Sequence, residues 1–498
     1  MIVNTRKGIL LILDGYGEGK SGEYNAVENA NTPYLKKIKV EKPNCLLGTD
    51  SKFVGLPAHT MGGSEVGHMT IGGGKIKRSM QVKVDDEIAN GLFYKQKVLV
   101  DAFAKLKEQN GALHIAGLWS NKQIHSNIKH CFALVKMAKM FGISKVFVHA
   151  VTDGRDTAPR CCKQYFEEFD EISKELNLGE IATIGGRFYM MDRENNLDRT
   201  SLAIDKILQK NTDFLSVDEC VDHFYAMDKG DEFFLPSRIA TQTQYTGVND
   251  NDLFVFFNTR GDRMKQPVKM ASKKFGCKII TLCDFVEGDK ISYVYDEDFL
   301  KNGICEYLCN MNKKVLKISE STKYAHVTYF FNGGREEPFK NEERIHIITQ
   351  KTDDYALTPF MRAKEITDEV LKAVESEKYD MIVVNYSNPD MIGHTGNYDA
   401  VVKSLEFLDG CVKKVVDCAE EHDTFVIICA DHGNAECMRD ENGVPQTAHT
   451  LNPVKCVIID SQNQNIKMHN GGLQDIAPTF LKLMNVPMNP DFEGKPLF

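Results

Sequence analysis

The feature that most constrains this chain is a recurring one: a short, unbroken apolar run that stops at a polar loop carrying reactive side chains. Gly8–Leu13 precedes Asp14, Ala112–Leu118 precedes His125, Lys145–Val151 precedes Asp153-Gly-Arg-Asp156, and Ile181–Ile184 precedes Arg187. Leu253–Phe257 precedes Arg260, Met381–Val384 precedes Asp390, and Phe425–Cys429 precedes Asp431. Continuous apolar runs of this length read as strands buried on both faces. Between them, Val98, Leu99, Ala102, Phe103 and Leu106, and again Val401, Val402, Leu405, Leu408, Val412 and Val415, recur at the spacing of one helix face. Strands alternating with helices predict an α/β chain with largely parallel sheets, whose ligands bind beyond the carboxyl ends of the strands.

The reactive residue types segregate along the sequence. Asp, His and Ser groups of metal-binding character fall in about the first seventy residues and again after residue 385, whereas arginines dominate the loops from His125 to Arg263. This predicts two α/β domains. A discontinuous one comprises residues 1–76 and 298–498, and a second, residues 77–297, is inserted into it. Gly72-Gly-Gly74 and Asp296–Asp298 are the expected crossing points. A length of 498 residues accommodates two large domains.

Composition narrows the function classes. With 42% hydrophobic residues the chain can bury real cores. The 61 Lys+Arg against 70 Asp+Glu leave a net charge of −9, which argues against a nucleic-acid or anionic-membrane partner. The 14 cysteines are scattered, without zinc-finger tandems, and read as free thiols of a cytoplasmic protein. The N-terminal apolar run ends at Asp14, too soon for a signal peptide or a membrane span. No sustained heptad argues for an obligate partner, so a monomer is expected.

The candidate metal ligands are Asp14, Asp390, His394, Asp431, His432 and His449. Asp14 alone in Leu-Asp-Gly-Tyr-Gly reads more readily as a turn residue than as a ligand. Asp390 and His394 stand four apart, on one helical turn or in a compact loop. Asp431-His432 follows a strand directly, where a bland turn needs neither group. His449 gains meaning only as the completing histidine. Oxygen and imidazole donors without cysteine favour Mn²⁺, Mg²⁺ or Zn²⁺. The set exceeds the needs of one catalytic ion, so two divalent ions are inferred, an arrangement suited to phosphoryl transfer.

Met61-Gly-Gly-Ser64-Glu-Val-Gly-His68 sets a serine among glycines ahead of a helix start, where free amides favour a bound phosphate. An N-cap serine is the competing reading. As a nucleophile, Ser64 lacks an assigned base and would draw on a metal ion instead. Arg155, Arg187, Arg193, Arg260 and Arg263 recur in loops after strands, where guanidinium forks suit carboxylate or phosphate. Each alone is also an ordinary surface residue. Asp156 is a candidate general acid or base, and His125 a further donor or a structural histidine. Lys323 would reach in from the other domain, or simply be an exposed lysine.

Taken together, these strings resemble the cofactor-independent (2,3-bisphosphoglycerate-independent) phosphoglycerate mutases of the alkaline-phosphatase-like metalloenzyme superfamily. The likeness runs from Leu13-Asp-Gly15 and Gly55-Leu-Pro57 through Met61–His68, Thr152–Thr157, Gly186-Arg187, Met191-Asp-Arg193 and Asn258–Arg263. It continues through Lys323–Thr328, Asn388–Gly396 and Asp431–Glu436. The resemblance implies a phosphatase-like domain holding two Mn²⁺ ions, one on Asp390, His394 and His449, the other on Asp14, Ser64, Asp431 and His432. Mg²⁺, Co²⁺ or Zn²⁺ are alternatives, and no bisphosphoglycerate cofactor is needed. Substrate contacts carry over to His125, Arg155, Asp156, Arg187, Arg193, Arg260, Arg263 and Lys323. The implied reaction interconverts 3-phosphoglycerate and 2-phosphoglycerate, a step of glycolysis and gluconeogenesis, through a phosphoserine on Ser64, with Asp156 as proton shuttle. The chain departs from the family pattern at Gly63, Thr259 and Glu194–Leu197, none of which removes a proposed ligand. Rival readings are a metal-dependent phosphatase or phosphopentomutase of the same superfamily, and a phosphate-binding module without activity.

Overall fold

Gly8–Leu13 and Phe425–Cys429 contain only glycine, cysteine and large aliphatic or aromatic residues, so neither face of either strand can be left in water. In a computed structural model of the chain, which describes residues 5–192, 196–296, 299–440 and 442–498, the two strands lie side by side inside an eight-stranded sheet. The sheet runs Glu342–Ile347, Val315–Glu320, Met381–Tyr386, Gly8–Leu13, Phe425–Cys429, Val454–Ile459, Asn44–Gly48, Gly471–Gly472. Its first five strands are mutually parallel. Val454–Ile459 runs antiparallel to both of its neighbours, so the sheet is mixed rather than wholly parallel.

The chain divides into two compact units, Met1–Ser79 with Phe299–Phe498, and Met80–Asp298. The eight-stranded sheet belongs to the first. Its long helix Tyr398–Glu421 buries Val401, Leu405, Leu408, Val412 and Val415 along one face, each burial contributing about 1.5–3 kcal/mol. Gly72-Gly-Gly74 is not a crossing segment. Gly72 and Gly73 close the helix Ser64–Gly73, and Gly74 caps it at φ 61°. A Cβ at Gly72 would stand 2.1 Å from the Phe331 carbonyl oxygen, so these glycines serve close packing. Of the second crossing point, residues 297 and 298 lie outside the described residues.

The second unit holds a seven-stranded sheet in the order Ser237–Arg238, Glu180–Gly186, Val146–Thr152, Leu113–Trp119, Leu253–Phe256, Lys278–Cys283, Ile291–Tyr295. Only Ser237–Arg238 pairs antiparallel. The unit keeps its own apolar core, in which Trp119, Phe254 and Phe256 are fully buried. Both sheets thus present the carboxyl ends of parallel strands, where the reactive loops emerge.

Within the second sheet runs a buried polar chain. Thr183 Oγ1 lies 3.0 Å from His149 Nδ1, His149 Nε2 3.1 Å from His114 Nδ1, and His114 Nε2 3.3 Å from Asp252 Oδ2. One assignment satisfies every atom: the threonine hydroxyl donates to His149, His149 to His114, and His114 to the carboxylate, with both imidazoles neutral. Burial drives the basicity of both histidines down, His149 well below the ordinary value, with the His114 and Arg238 charges adding to it.

The unfolded chain therefore binds protons that the folded one refuses. Stability is retained above pH ~6.5 and falls below it, by about 1.4 kcal/mol per neutral histidine per pH unit. Thermal unfolding of the full chain should show this decline between pH 7 and 5, and a shallower one in His149→Asn. A flat profile, or equal slopes, would contradict the assignment.

Candidate metal centre

Four adjacent parallel strands of the first unit, Val315–Glu320, Met381–Tyr386, Gly8–Leu13 and Phe425–Cys429, end at one edge and release Lys323, Asp390, Asp14 and Asp431 into the same space. Register explains the convergence, because Leu13 pairs with Tyr386 and Ile12 with Cys429. The backbone is shaped for it. Gly15 turns at φ 73°, and a Cβ there would lie 2.8 Å from Asp390. A Cβ at Gly67 would lie 2.9 Å from the Asp431 side chain.

Ser64 is the first residue of the helix Ser64–Gly73, and the extended residue Gly63, not the serine, stands at its N-cap. The N-cap reading of this serine is thereby displaced. Its hydroxyl stands 2.9 Å from His432 Nε2 and 3.2 Å from Asp14 Oδ1, and accepts from Lys323 Nζ at 2.6 Å. His432 Nδ1 lies 3.3 Å from the Gly433 carbonyl, which leaves an Nε2 lone pair facing the serine oxygen, whose proton is directed at Asp14 Oδ1. Lys323 also donates to Asp14 Oδ1 at 2.7 Å and to Asp390 Oδ2 at 2.5 Å. It is buried, not the exposed lysine of the alternative reading.

Asp390 lies in the helix Asn388–Gly393 and His394 at its cap, so their four-residue spacing makes one turn. His394 Nε2 and His449 Nε2 approach Asp390 Oδ1 at 3.2 and 3.3 Å and each other at 3.3 Å. The opposite ring nitrogens face backbone carbonyls, Thr447 at 2.7 Å and Gly62 at 2.8 Å. A ring nitrogen facing a carbonyl must carry the proton, so both Nε2 atoms present lone pairs to the same carboxylate oxygen. Acceptors with no donor between them require a cation or an extra proton. The Asp390 carboxylate accordingly raises the basicity of His394, and raises that of His449 against the effect of burial.

The electrostatics of the three carboxylates diverge. Burial, reinforced by Asp431, pushes Asp14 up. Asp390 is held well below the carboxylate range because His394, His449 and Lys323 outweigh its burial. Asp431 is also driven down, the His432 and His68 contacts and Lys323 overcoming desolvation. Its Oδ2 accepts no aligned hydrogen bond, although His68 Nδ1 is 3.2 Å away. Three sets have donor atoms close enough to share an ion: Asp390 with His394 and His449, Asp14 with Asp390 and His432, and Asp14 with His68 and Asp431. The converging lone pairs, the unaligned Asp431 oxygen and the hard oxygen and imidazole donors all fit divalent cations.

In the second unit, the loops place His125, Asp156 and Arg187 together. Arg187 is buried and donates at 2.6 Å to both Asp153 Oδ1 and Asp156 Oδ2, with His125 Nε2 3.9 Å from Asp156. Burial and the Arg187 charge lower His125 to about 4, so it is neutral near pH 7. Arg260 pairs with Asp262, 3.7 Å from His125 Nδ1. Arg155 turns instead toward Glu232, and Arg263 donates to the Met191 carbonyl. Arg193 lies outside the described residues. Sequence reasoning gave no role to His68, Asn385, Asn434 or Asp153. Of these only His68 carries a local signal, one helical turn beyond Ser64.

The sequence model of the metalloenzyme superfamily matches residues 6–488. A 2,3-bisphosphoglycerate-independent phosphoglycerate mutase from Francisella tularensis subsp. holarctica is 39% identical over 513 residues, covering 100% of this chain and 99% of its own length. The protein of the same name from Clostridium acetobutylicum is 39% identical over 503 residues, covering 98% and 99%. Among solved structures, Leishmania mexicana phosphoglycerate mutase at low cobalt concentration superposes with a TM-score of 0.63 at 25% identity, over 99% of this chain and 98% of that one.

Lys323 is the ammonium that offsets Asp14 and Asp390 within the protein itself. Removing one partner from a buried ion pair costs about 3–5 kcal/mol. Lys323→Met should lower the unfolding free energy of the metal-stripped chain by that order in denaturant titration, and excess Mn²⁺ should recover part of the loss. Unchanged stability without metal would show that the carboxylates do not depend on this lysine.

Proposed function

The chain belongs to the 2,3-bisphosphoglycerate-independent phosphoglycerate mutases of the metalloenzyme superfamily, and we propose that it interconverts 3-phosphoglycerate and 2-phosphoglycerate through a phosphoserine on Ser64. The observation that carries this reading is the serine hydroxyl held within 3.2 Å of Asp14, His432 and Lys323 at the first turn of a helix. One divalent ion is assigned to Asp390, His394 and His449, and a second to Asp14, Ser64, Asp431 and His432, with Mn²⁺ the expected metal. Bound there, the ions supply Lewis acidity toward the phosphoryl oxygens and favour ionisation of the serine hydroxyl.

The residues of the chain do the rest. Ser64 Oγ attacks phosphorus in line, forming the Oγ–P bond as the bond to the substrate's 3-oxygen breaks. The Lys323 ammonium, already against that hydroxyl, offsets charge on the equatorial oxygens. The amides of the Ser64–Gly73 helix start suit the resulting phosphate. Glycerate is retained with its carboxylate on the arginine-bearing loops, for which Arg187, Arg260, Arg155, Arg193 and Arg263 are the candidates. Asp156 moves the proton between the 2- and 3-hydroxyls, a role supported by its contacts with Arg187 and the neutral His125. The phosphoryl group then returns to the 2-oxygen, so no bisphosphoglycerate primer enters.

The substrate is a small phosphorylated acid, and the reading places the chain in the glycolytic and gluconeogenic pathway of the cytoplasm, acting as a monomer. Among the described residues no helix is long and apolar enough to cross a membrane.

Mn²⁺-loaded protein given 3-phosphoglycerate, with no bisphosphoglycerate, should form 2-phosphoglycerate without matching release of phosphate. Ser64→Ala should lower turnover by about 10³-fold or more while the protein stays folded. Free phosphate as the sole product would establish a phosphatase, and activity retained in Ser64→Ala would remove the serine from the mechanism.

A further inference from the structure

His68 is fully buried and lies one helical turn beyond Ser64, on the same face of the helix. Its Nδ1 is 2.9 Å from the Ser64 carbonyl oxygen and 3.2 Å from Asp431 Oδ2. Neither oxygen can donate while the carboxylate is ionised, so Nδ1 carries the proton and gives it to the Ser64 carbonyl, with Asp431 Oδ2 close by but not in line for a hydrogen bond. Nε2 is then an acceptor, and the Asn385 side-chain nitrogen stands 2.9 Å from it. The same amide nitrogen donates to Asp14 Oδ2 at 2.7 Å. Turning the Asn385 amide over would set its oxygen against a carboxylate oxygen and a lone pair, so the orientation follows from the partners.

The outcome is a continuous bridge, Asp14, Asn385, His68 and the Ser64 backbone, with Asp431 beside the His68 ring. Asn385 ends the strand Met381–Tyr386 and pairs in register with Ile12, two residues before Asp14. His68 and Asp431 also belong to a group whose donor atoms lie close enough to share an ion with Asp14. A nitrogen that donates to the Ser64 carbonyl has no lone pair for a metal, which removes His68 from the ligand set in this tautomer.

We infer that His68 and Asn385 are positioning residues: their hydrogen bonds hold Asp14 and the serine backbone in place around the Ser64 ion, and the His68 ring packs beside Asp431. This rests on the assignment of that ion to Asp14, Ser64, Asp431 and His432. Asp14 Oδ2 accepts from Asn385, and Asp431 Oδ2, 3.2 Å from His68 Nδ1, keeps its lone pairs free of aligned hydrogen bonds. Asp14 Oδ1 is left toward Ser64 and Lys323. Groups that hold ligands in this way tune affinity without touching the ion, and losing one weakens binding by about 10–100-fold. The Asp390, His394 and His449 set has separate supports, the carbonyls of Thr447 and Gly62 and the Asn434 amide.

The metal-stripped full chain is titrated with Mn²⁺ alone, and free ion is read by electron paramagnetic resonance. The unaltered chain should bind two ions. His68→Ala and Asn385→Ala should each weaken one binding step by about 10–100-fold and leave the other within about threefold. His68→Asn, whose amide can donate from near the Nδ1 position, should recover most of the lost affinity. Circular dichroism and thermal unfolding accompany each variant, and should His68→Ala fail to fold, the Asn385→Ala and His68→Asn pair carries the comparison. Two ions bound with unchanged affinities, or both steps weakened equally, overturns the positioning role and leaves the metal assignment standing. Fewer than two ions on the unaltered chain overturns the metal assignment and this proposal with it.

Discussion

The structure of the first unit depends on a concentration of negative charge that has no business in a protein interior. Asp14, Asp390 and Asp431 are all buried at the edge of one sheet. Desolvating a carboxylate costs several kcal/mol even after relaxation, and neighbouring like charges add to the cost. Lys323 offsets part of it by touching two of the three. Much of the surrounding architecture answers the same demand: Asn385 and Asn434 donate to carboxylate oxygens, Gly15 N to Asp431, and the histidines present lone pairs or protons according to their carbonyl partners. An arrangement so costly for folding alone is what a site for hard cations requires.

The second unit solves a different problem with the same kind of sheet. Its charged groups are cations and anions in alternation, Arg187 between Asp153 and Asp156 and Arg260 beside Asp262, so the loops are internally balanced. Arg187 is fixed and buried, whereas the Arg155 and Arg260 side chains are more than half exposed, at 52% and 56%. Exposed guanidiniums of this kind are available to a carboxylate or phosphate.

One unit gathers carboxylates and imidazoles at its strand ends, and the other gathers guanidiniums. Each set sits where parallel strands stop and backbone geometry is free to vary. The mixed edge of the first sheet, where Val454–Ile459 reverses direction, carries no acidic side chain of the cluster. It does place the preceding loop, with His449, beside Asp390.

Strand and helix positions were legible because burial on both faces leaves a local mark, an apolar run of fixed length, and Gly8–Leu13 and Phe425–Cys429 lie within the bounds read from it. The residue types of the metal cluster were legible for a related reason: a carboxylate or imidazole directly after such a run has few bland explanations. What the sequence alone decided is therefore the α/β class, the strand-end placement of the reactive loops, and the identity of the groups that emerge there. Tertiary structure alone decided that Lys323 is buried against Asp14 and Asp390, that Arg155 turns away to Glu232, and that Asn385 and His68 link Asp14 to the Ser64 backbone. The physical reason is range. Local pattern records how each segment meets water, whereas these contacts join residues tens to hundreds of positions apart, and only strand order and register bring them within hydrogen-bonding distance.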